Sequence, residues 1–355
     1  MDILISAILL LLAFLVIGII TERYFIPSLE HIAGRLGLSE NVAGATLLAF
    51  GSSAPELFTA LLTIVLAQSE PSFGVGSIIG SALFQILFVI GFAAAVKTSY
   101  LHWGPVIRDG AVYATAVVLL FVFVRDGRLT AWEAAMLVAC YLLYLLILLL
   151  GPRFEPREKQ RRIQRRTANE RRRGSSTSGP VSRSLRLALA ALPTPQDRLR
   201  WAVPVFLLSL IGIGAASWVL VDSGVDIARS LSINPTIVAL TIIAGGSSAP
   251  ELISSAIVAR RGQGDMAIAN ALGSNSFDIF VSLGLPVLIA TLVYGDIEDV
   301  GGPNITSTTI LLLATVVMVI GLLAVQRFKA SRPFGILLML CYGLYVVGAY
   351  LGWIG

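Results

Sequence analysis

The chain has 355 residues, 56% of them hydrophobic and 13% charged, with a mean hydropathy of +0.85. A soluble protein needs about a quarter of its residues charged to cover its surface, so this composition excludes a soluble enzyme, a secreted disulfide scaffold and a disordered chain. The net charge of +5 does not point to nucleic acid either, because residues 152–200 hold 14 Lys/Arg against 4 Asp/Glu and the rest of the chain is net acidic.

A helix that spans a membrane needs about 20 apolar residues. Ten such stretches are predicted, at 3–21, 41–67, 74–96, 107–124, 131–151, 201–221, 235–259, 266–293, 306–326 and 334–353. The fold class is therefore an all-α polytopic membrane protein. Residues 1–151 form one five-helix unit, 152–200 a basic linker and 201–355 a second five-helix unit. The first stretch reads as a retained helix: Asp2 is its only early charge, and no small-residue cleavage site follows. Cys140 and Cys341 stand alone within apolar runs and read as packing residues, and His31 and His102 lie too far from them in sequence to suggest a zinc site.

Lysine and arginine mark the cytoplasmic side of a membrane protein. With the 152–200 linker in the cytoplasm, ten spans place 23 of the 26 basic residues on that side; Arg125, Arg128 and Arg229 remain outside. Both termini then lie outside. The linker carries Arg161-Arg162 and Arg171-Arg172-Arg173, followed by Gly174-Ser175-Ser176. It reads as a flexible topology anchor that can rest on anionic lipid headgroups. It has too few apolar residues for a regulatory domain.

An internal repeat organises the two halves. Gly51-Ser52-Ser53-Ala54-Pro55-Glu56-Leu57 recurs letter for letter as Gly246-Ser247-Ser248-Ala249-Pro250-Glu251-Leu252. A second element, Gly80-Ser81-Ala82-Leu83-Phe84-Gln85, aligns with Gly273-Ser274-Asn275-Ser276-Phe277-Asp278. Each copy falls in the second and third spans of a five-helix unit. Five is odd, so the halves enter the membrane in opposite senses, and such inverted repeats place a binding site near the midplane at their interface. Helix packing explains glycine and serine in these motifs. It does not explain a glutamate at the same place twice.

Pro55 has no N–H, and its ring clashes with the carbonyl of Gly51 four residues back. A helix break near residues 50–54 is expected, and Pro250 repeats it. Irregular backbone at membrane depth is tolerated where it is buried in protein or lines a polar cavity. Ser52 and Ser53 are spaced to share a face with Glu56, Ser81 with Gln85, and Ser274 with Asp278. All these groups offer oxygen. Calcium takes 6–8 oxygen ligands, sodium suits the same set, and no His or Cys is present there to favour zinc or copper. Each carboxylate costs about 2.5–3.5 kcal/mol to insert at mid-membrane. With no basic residue in these segments, Glu56, Glu251 and Asp278 need cations or protons as partners.

The doubled Gly-Ser-Ser-x-Pro-Glu motif, the Gly-Ser-x-x-Phe-Gln/Asp element and the 5+5 layout resemble the cation/calcium exchanger superfamily, and within it the sodium/calcium exchangers. The stretch Ala269–Asp278 with Gly284-Leu285-Pro286 is similar to the potassium-dependent branch. The resemblance implies a secondary antiporter that exchanges sodium for calcium by alternating access, without a cofactor. It assigns the motif glutamates to Glu56 and Glu251, and hydroxyl ligands to Ser52, Ser53, Ser81, Ser247, Ser248 and Ser274. Carbonyl ligands fall on Ala49 and Ala244, and the polar pair of the third and eighth spans on Gln85 and Asp278. Gln85 departs from the family pattern, which more often has Asn or Asp there. The resemblance also implies that residues 3–21 and 201–221 slide over the core to switch access.

Four other readings compete, of which a non-transporting receptor or scaffold has too little outside the bilayer to bind much. A calcium/proton exchanger of the same architecture would use Glu56 and Glu251 as proton carriers. A channel would need a continuous pore, usually in a symmetric oligomer, whereas the Pro-broken inverted repeat argues for alternation. An enzyme lacks a nucleophile–base pair or a metal triad in this sequence. The short extramembrane parts point to a prokaryotic plasma membrane.

Overall fold

The computed structural model describes residues 3–25, 27–28, 32, 49–67, 71–101, 103–150, 199–260, 264–298, 300 and 303–353. The basic linker, apart from 199–200, and residues 41–48 of the expected second span lie outside the described residues.

The described chain is helical in almost every place where a span is expected. Among the described residues seven helices are long and apolar enough to cross a membrane: Ile3–Phe25, Pro71–Val96, Val106–Val124, Ala202–Ser230, Asn270–Tyr294, Ile305–Val325 and Arg332–Tyr350. Shorter apolar helices, Ala54–Leu66, Ala131–Ile147 and Pro235–Ser247, stand at the expected second, fifth and seventh spans. The sixth expected span is longer than its apolar run, because the helix continues from Leu199 to Ser230.

Local sequence explains several helix starts. Thr130 and Glu133 form a reciprocal cap on the Ala131–Leu150 helix: the Glu133 carboxylate accepts the Thr130 N–H at 2.9 Å, and the Glu133 N–H reaches Thr130 Oγ1 at 3.4 Å. Asn234 caps the helix that begins at Pro235, accepting the Thr236 N–H at 2.9 Å. Lower in the fourth span, Asp109 is buried and receives Arg108 at 2.7 Å and the Tyr144 hydroxyl at 3.3 Å. That contact ties the fourth span to the fifth.

Position in the bundle follows repeat position. The third and eighth spans are central: most residues along Pro71–Val96 and Asn270–Tyr294 are buried, whereas most along the first and sixth spans are not. The first and sixth spans pack against each other, with Gly212 under Ile20, and both touch the motif helices. Phe14 of the first span lies where a Cβ on Gly246 would sit, and Phe58 packs on Gly214 of the sixth. The main apolar core surrounds the central spans and includes Ile78, Ile86, Leu120, Ile279, Leu312 and Leu338.

Two short backbone clips join the halves. Ser99–Tyr100 pairs antiparallel with Lys329–Ala330, and Leu129 pairs with Ile297. The Trp103–Val124 helix runs from one clip to the other, as does Pro303–Val325. The clips therefore sit at opposite ends of the bundle, and exchange of the two halves swaps them. Both join loops of the third-to-fifth and eighth-to-tenth spans. The first and sixth spans lie outside both.

A Cβ on Gly80 would collide with the backbone carbonyl of Leu240. Gly80→Ala must push apart two backbones and is expected to cost more than the roughly 1–3 kcal/mol of ordinary overpacking. Thermal unfolding of the variant in detergent checks this; a melting temperature equal to that of wild type would contradict it.

Candidate functional site

The helix breaks come first, because they aim the glutamates. In the first copy a helix over Ala49–Ser52 ends at Ser53 (φ −89°, ψ 9°), and a new helix, Ala54–Ala60, begins with Pro55 in its first turn. In the second copy the helix over Ala244–Ser247 ends at Ser248 (φ −85°, ψ 12°), and Ala249–Arg260 follows. Each break is one residue wide, narrower than the expected 50–54. Hydrogen bonding resumes at the serine itself: Leu57 N–H reaches the Ser53 carbonyl at 3.0 Å, and Leu252 N–H the Ser248 carbonyl at 3.1 Å. The physical reason is that proline, fatal inside a helix, is well suited to a first turn, where its missing N–H has no partner to lose. Glu56 and Glu251 thus lie in the first turns of the resumed helices, where the helix dipole favours negative charge.

The third and eighth spans supply the remaining groups. Each carries a π-helical turn, Phe84–Val89 and Asp278–Leu283, that holds Gln85 and Asp278 respectively. Such wider turns recur at functional sites. Gln85 and Asp278 are both fully buried, as are Ser53, Ser81 and Ser248; Glu56 and Glu251 are each 1% exposed.

These side chains meet across the repeat. Glu56 Oε1 accepts the Ser248 hydroxyl at 2.8 Å and the Ser81 hydroxyl at 3.2 Å, and those two hydroxyls also touch each other. Ser247 lies beside Glu56 as well. Glu56 Oε2 has no hydrogen-bond partner among the described residues. Ser52 approaches Glu251, and Ser53 stands near Asp278 without closing a hydrogen bond. The Gln85 amide donates to Asp278 Oδ2 at 3.2 Å, and Ser274 Oγ donates to Gln85 Oε1 at 2.8 Å.

The expected partners within each copy are therefore replaced by partners from the other copy. Ser52 and Ser53 serve Glu251 and Asp278, not Glu56, because the break at Ser53 ends the helical phase on which the shared-face argument rests. Ser274 pairs with Gln85, not Asp278. Only Ser81 and Gln85 keep their same-helix contact, at 3.4 Å. The carbonyl of Ala244 faces Ser247 Oγ and the Ser248 N–H, each at 3.3 Å. Ala49 opens the matching helix in the first copy. Ser282 was not among the expected groups: it is fully buried and its hydroxyl lies 3.4 Å from Asp278 Oδ1. Its only sequence signal is the i, i+4 spacing from Asp278.

The arrangement gathers hydroxyls and carboxylates from four helical segments into one buried centre. Among the described residues no group of three or more His, Cys, Asp or Glu side chains is set as a cage for a metal ion. The carboxylates are instead interleaved with serines and one amide. That donor set is all oxygen apart from the Gln85 nitrogen, and it suits hard cations that are held and released.

Comparison with known proteins decides the family. The family model described as "Sodium/calcium exchanger protein" matches residues 6–150 and 201–351. The chain belongs to the sodium/calcium exchanger family. The two matched stretches contain both motif copies and leave out the basic linker. Relatives in this family include human sodium/potassium/calcium exchanger 4, 25% identical, with 94% of this chain and 79% of that protein covered. Human sodium/potassium/calcium exchanger 5 is 29% identical, with 93% and 79% covered. Among solved structures, the sodium-calcium exchanger NCX_Mj superposes with a TM-score of 0.61 at 21% identity, covering 97% of this chain and 99% of that one. The H+/Ca2+ exchanger CAX gives 0.71 at 16% identity, covering 96% and 82%. At these identities the two structures establish the shared fold, that of a helical membrane exchanger. This chain is an integral multi-pass membrane protein.

Proposed function

We propose that the chain exchanges sodium for calcium across the membrane by alternating access, with sodium entry driving calcium out. The observation that carries this reading is the crossing of the two motif copies: Ser248 of one copy bonds Glu56 of the other, so the centre exists only where the inverted halves meet. Glu56 and Glu251 bind calcium and sodium in turn. Ser52, Ser53, Ser81, Ser247, Ser248 and Ser274 supply hydroxyl ligands, Ala49 and Ala244 supply backbone carbonyls, and Gln85 and Asp278 complete the set. Buried carboxylates without basic partners need cations in every state that crosses the membrane. That requirement couples the two ions, since an empty, charged centre cannot cross.

The periphery supports the same reading. The first and sixth spans pack on each other and contact the motif helices, and among the described residues no clip binds them to the central spans. They are the pair that slides. The names of the human relatives, sodium/potassium/calcium exchangers, favour a second reading in which potassium accompanies calcium. The experiment that tests both is calcium-45 flux in proteoliposomes with sodium, potassium and proton gradients imposed one at a time.

The linker faces the cytoplasm in this account and is dispensable for turnover. It is polar, basic and interrupted by Gly and Ser. Replacing residues 158–180 with a neutral linker should leave calcium affinity within a few-fold of wild type. Complete loss of transport in a correctly inserted variant would count against it.

A further inference from the structure

The two halves differ at one position of the centre. Where the second half has Asp278, the first has Gln85, which is one methylene longer and carries no charge. Gln85 is fully buried. Its amide nitrogen lies 3.2 Å from Asp278 Oδ2, 3.4 Å from Ser81 Oγ and 3.5 Å from Ser248 Oγ. An ionised carboxylate only accepts hydrogen bonds, so with Asp278 ionised the contact sets the amide nitrogen toward these oxygens and Oε1 toward Ser274. Two N–H bonds thus face three oxygens drawn from three segments. The same Ser81 and Ser248 oxygens reach Glu56. A partly positive donor surrounded by hydroxyl and carboxylate oxygens takes the position a small cation would take. The Asp278 contact has the length of an N–H hydrogen bond, the two serine contacts are longer, and all three are wider than the roughly 2.3–2.6 Å of calcium ligation.

We propose that the Gln85 amide nitrogen stands in the place of a monovalent metal cation between Asp278, Ser81 and Ser248, so that this chain carries one fewer such cation per calcium than it would with a carboxylate at residue 85. The inference rests on the antiport reading above. It assigns Gln85 the role of setting the coupling ratio. Aspartate at this position would remove the amide nitrogen, shorten the side chain by one methylene and add a negative charge beside Asp278. Two buried carboxylates that close would need a cation between them.

The test uses the full chain in proteoliposomes, with the exchange ratio read from the voltage at which net calcium flux vanishes under fixed gradients. Gln85→Asp should carry one more monovalent charge per calcium than wild type. Arms with potassium replaced by an inert organic cation, and with the pH gradient collapsed, separate sodium from potassium and both from protons. Gln85→Asn adds no buried charge and serves if the aspartate variant does not fold. Its shorter amide frees the three oxygens, so sodium should protect it against thermal unfolding in detergent at lower concentrations than wild type. A packing role for Gln85 predicts the reverse. An unchanged ratio in Gln85→Asp, an extra charge carried by protons, or weaker sodium protection in Gln85→Asn would overturn the proposal. Wild-type protein that does not couple calcium to sodium would instead overturn the antiport reading.

Discussion

Glu56→Gln and Glu251→Gln should each abolish calcium exchange while leaving the protein folded. Both carboxylates are 1% exposed at the centre of the repeat. Glutamine keeps the size and one acceptor oxygen, so Ser81 and Ser248 retain a partner at residue 56. What is lost is a unit charge facing a divalent ion. At a separation of 4 Å and an effective dielectric of 20 that attraction is about 4 kcal/mol for each unit of ion charge, so calcium affinity should fall by at least about 1,000-fold. Removing a buried charge does not itself destabilise the ion-free fold, and melting temperatures in detergent should stay near wild type. Calcium-45 flux alongside thermal unfolding checks both halves of this expectation. Exchange at wild-type rates in either variant would remove the assigned glutamate from the site.

Transport should also respond to voltage. Glu56, Glu251 and Asp278 are the formal charges in the described centre, with Gln85 neutral opposite Asp278. Three sodium ions would neutralise three carboxylates, whereas one calcium would leave a single negative charge. Each cycle would then move one net positive charge opposite to calcium. One charge moving through 100 mV is worth about 2.3 kcal/mol, enough to change the calcium gradient held at equilibrium by about 50-fold. A negative-inside potential should therefore drive sodium in and calcium out. Asp278→Asn should weaken sodium coupling more than calcium binding, because Asp278 is held by Gln85 and Ser282, outside the doubled glutamate motif. Sodium-driven flux with voltage set by a potassium ionophore tests this, once potassium itself is shown not to be carried. Flux indifferent to voltage would refute electrogenic exchange, and full sodium dependence in the variant would take Asp278 out of the sodium site.

Much of this centre can be read from the letters alone, for a physical reason. A carboxylate at membrane depth is costly, so a glutamate that appears twice in the same proline-broken setting points to a function. That argument picks out Glu56 and Glu251 without coordinates, and hydropathy places the helices that carry them. The partners are harder to read. Ser52 looks like a neighbour of Glu56 on an ideal helix, yet the single-residue break at Ser53 turns it toward Glu251. The π-helical turns that hold Gln85 and Asp278 add one residue to a helical turn and leave no mark on an apolar pattern. The close approach of Gly80 to the Leu240 backbone is likewise invisible in the letters, since glycine also serves helix packing in general. The clips at Ser99–Tyr100 and Leu129 pair loops some 170 to 230 residues apart through one or two residues each, too few for any alternation to appear.

The most direct measurement is calcium-45 uptake into proteoliposomes loaded with sodium and diluted into sodium-free buffer. The account predicts uptake that requires the outward sodium gradient, vanishes when sodium is equal on both sides, and persists when the pH gradient is collapsed. Uptake driven by a proton gradient and indifferent to sodium would contradict it.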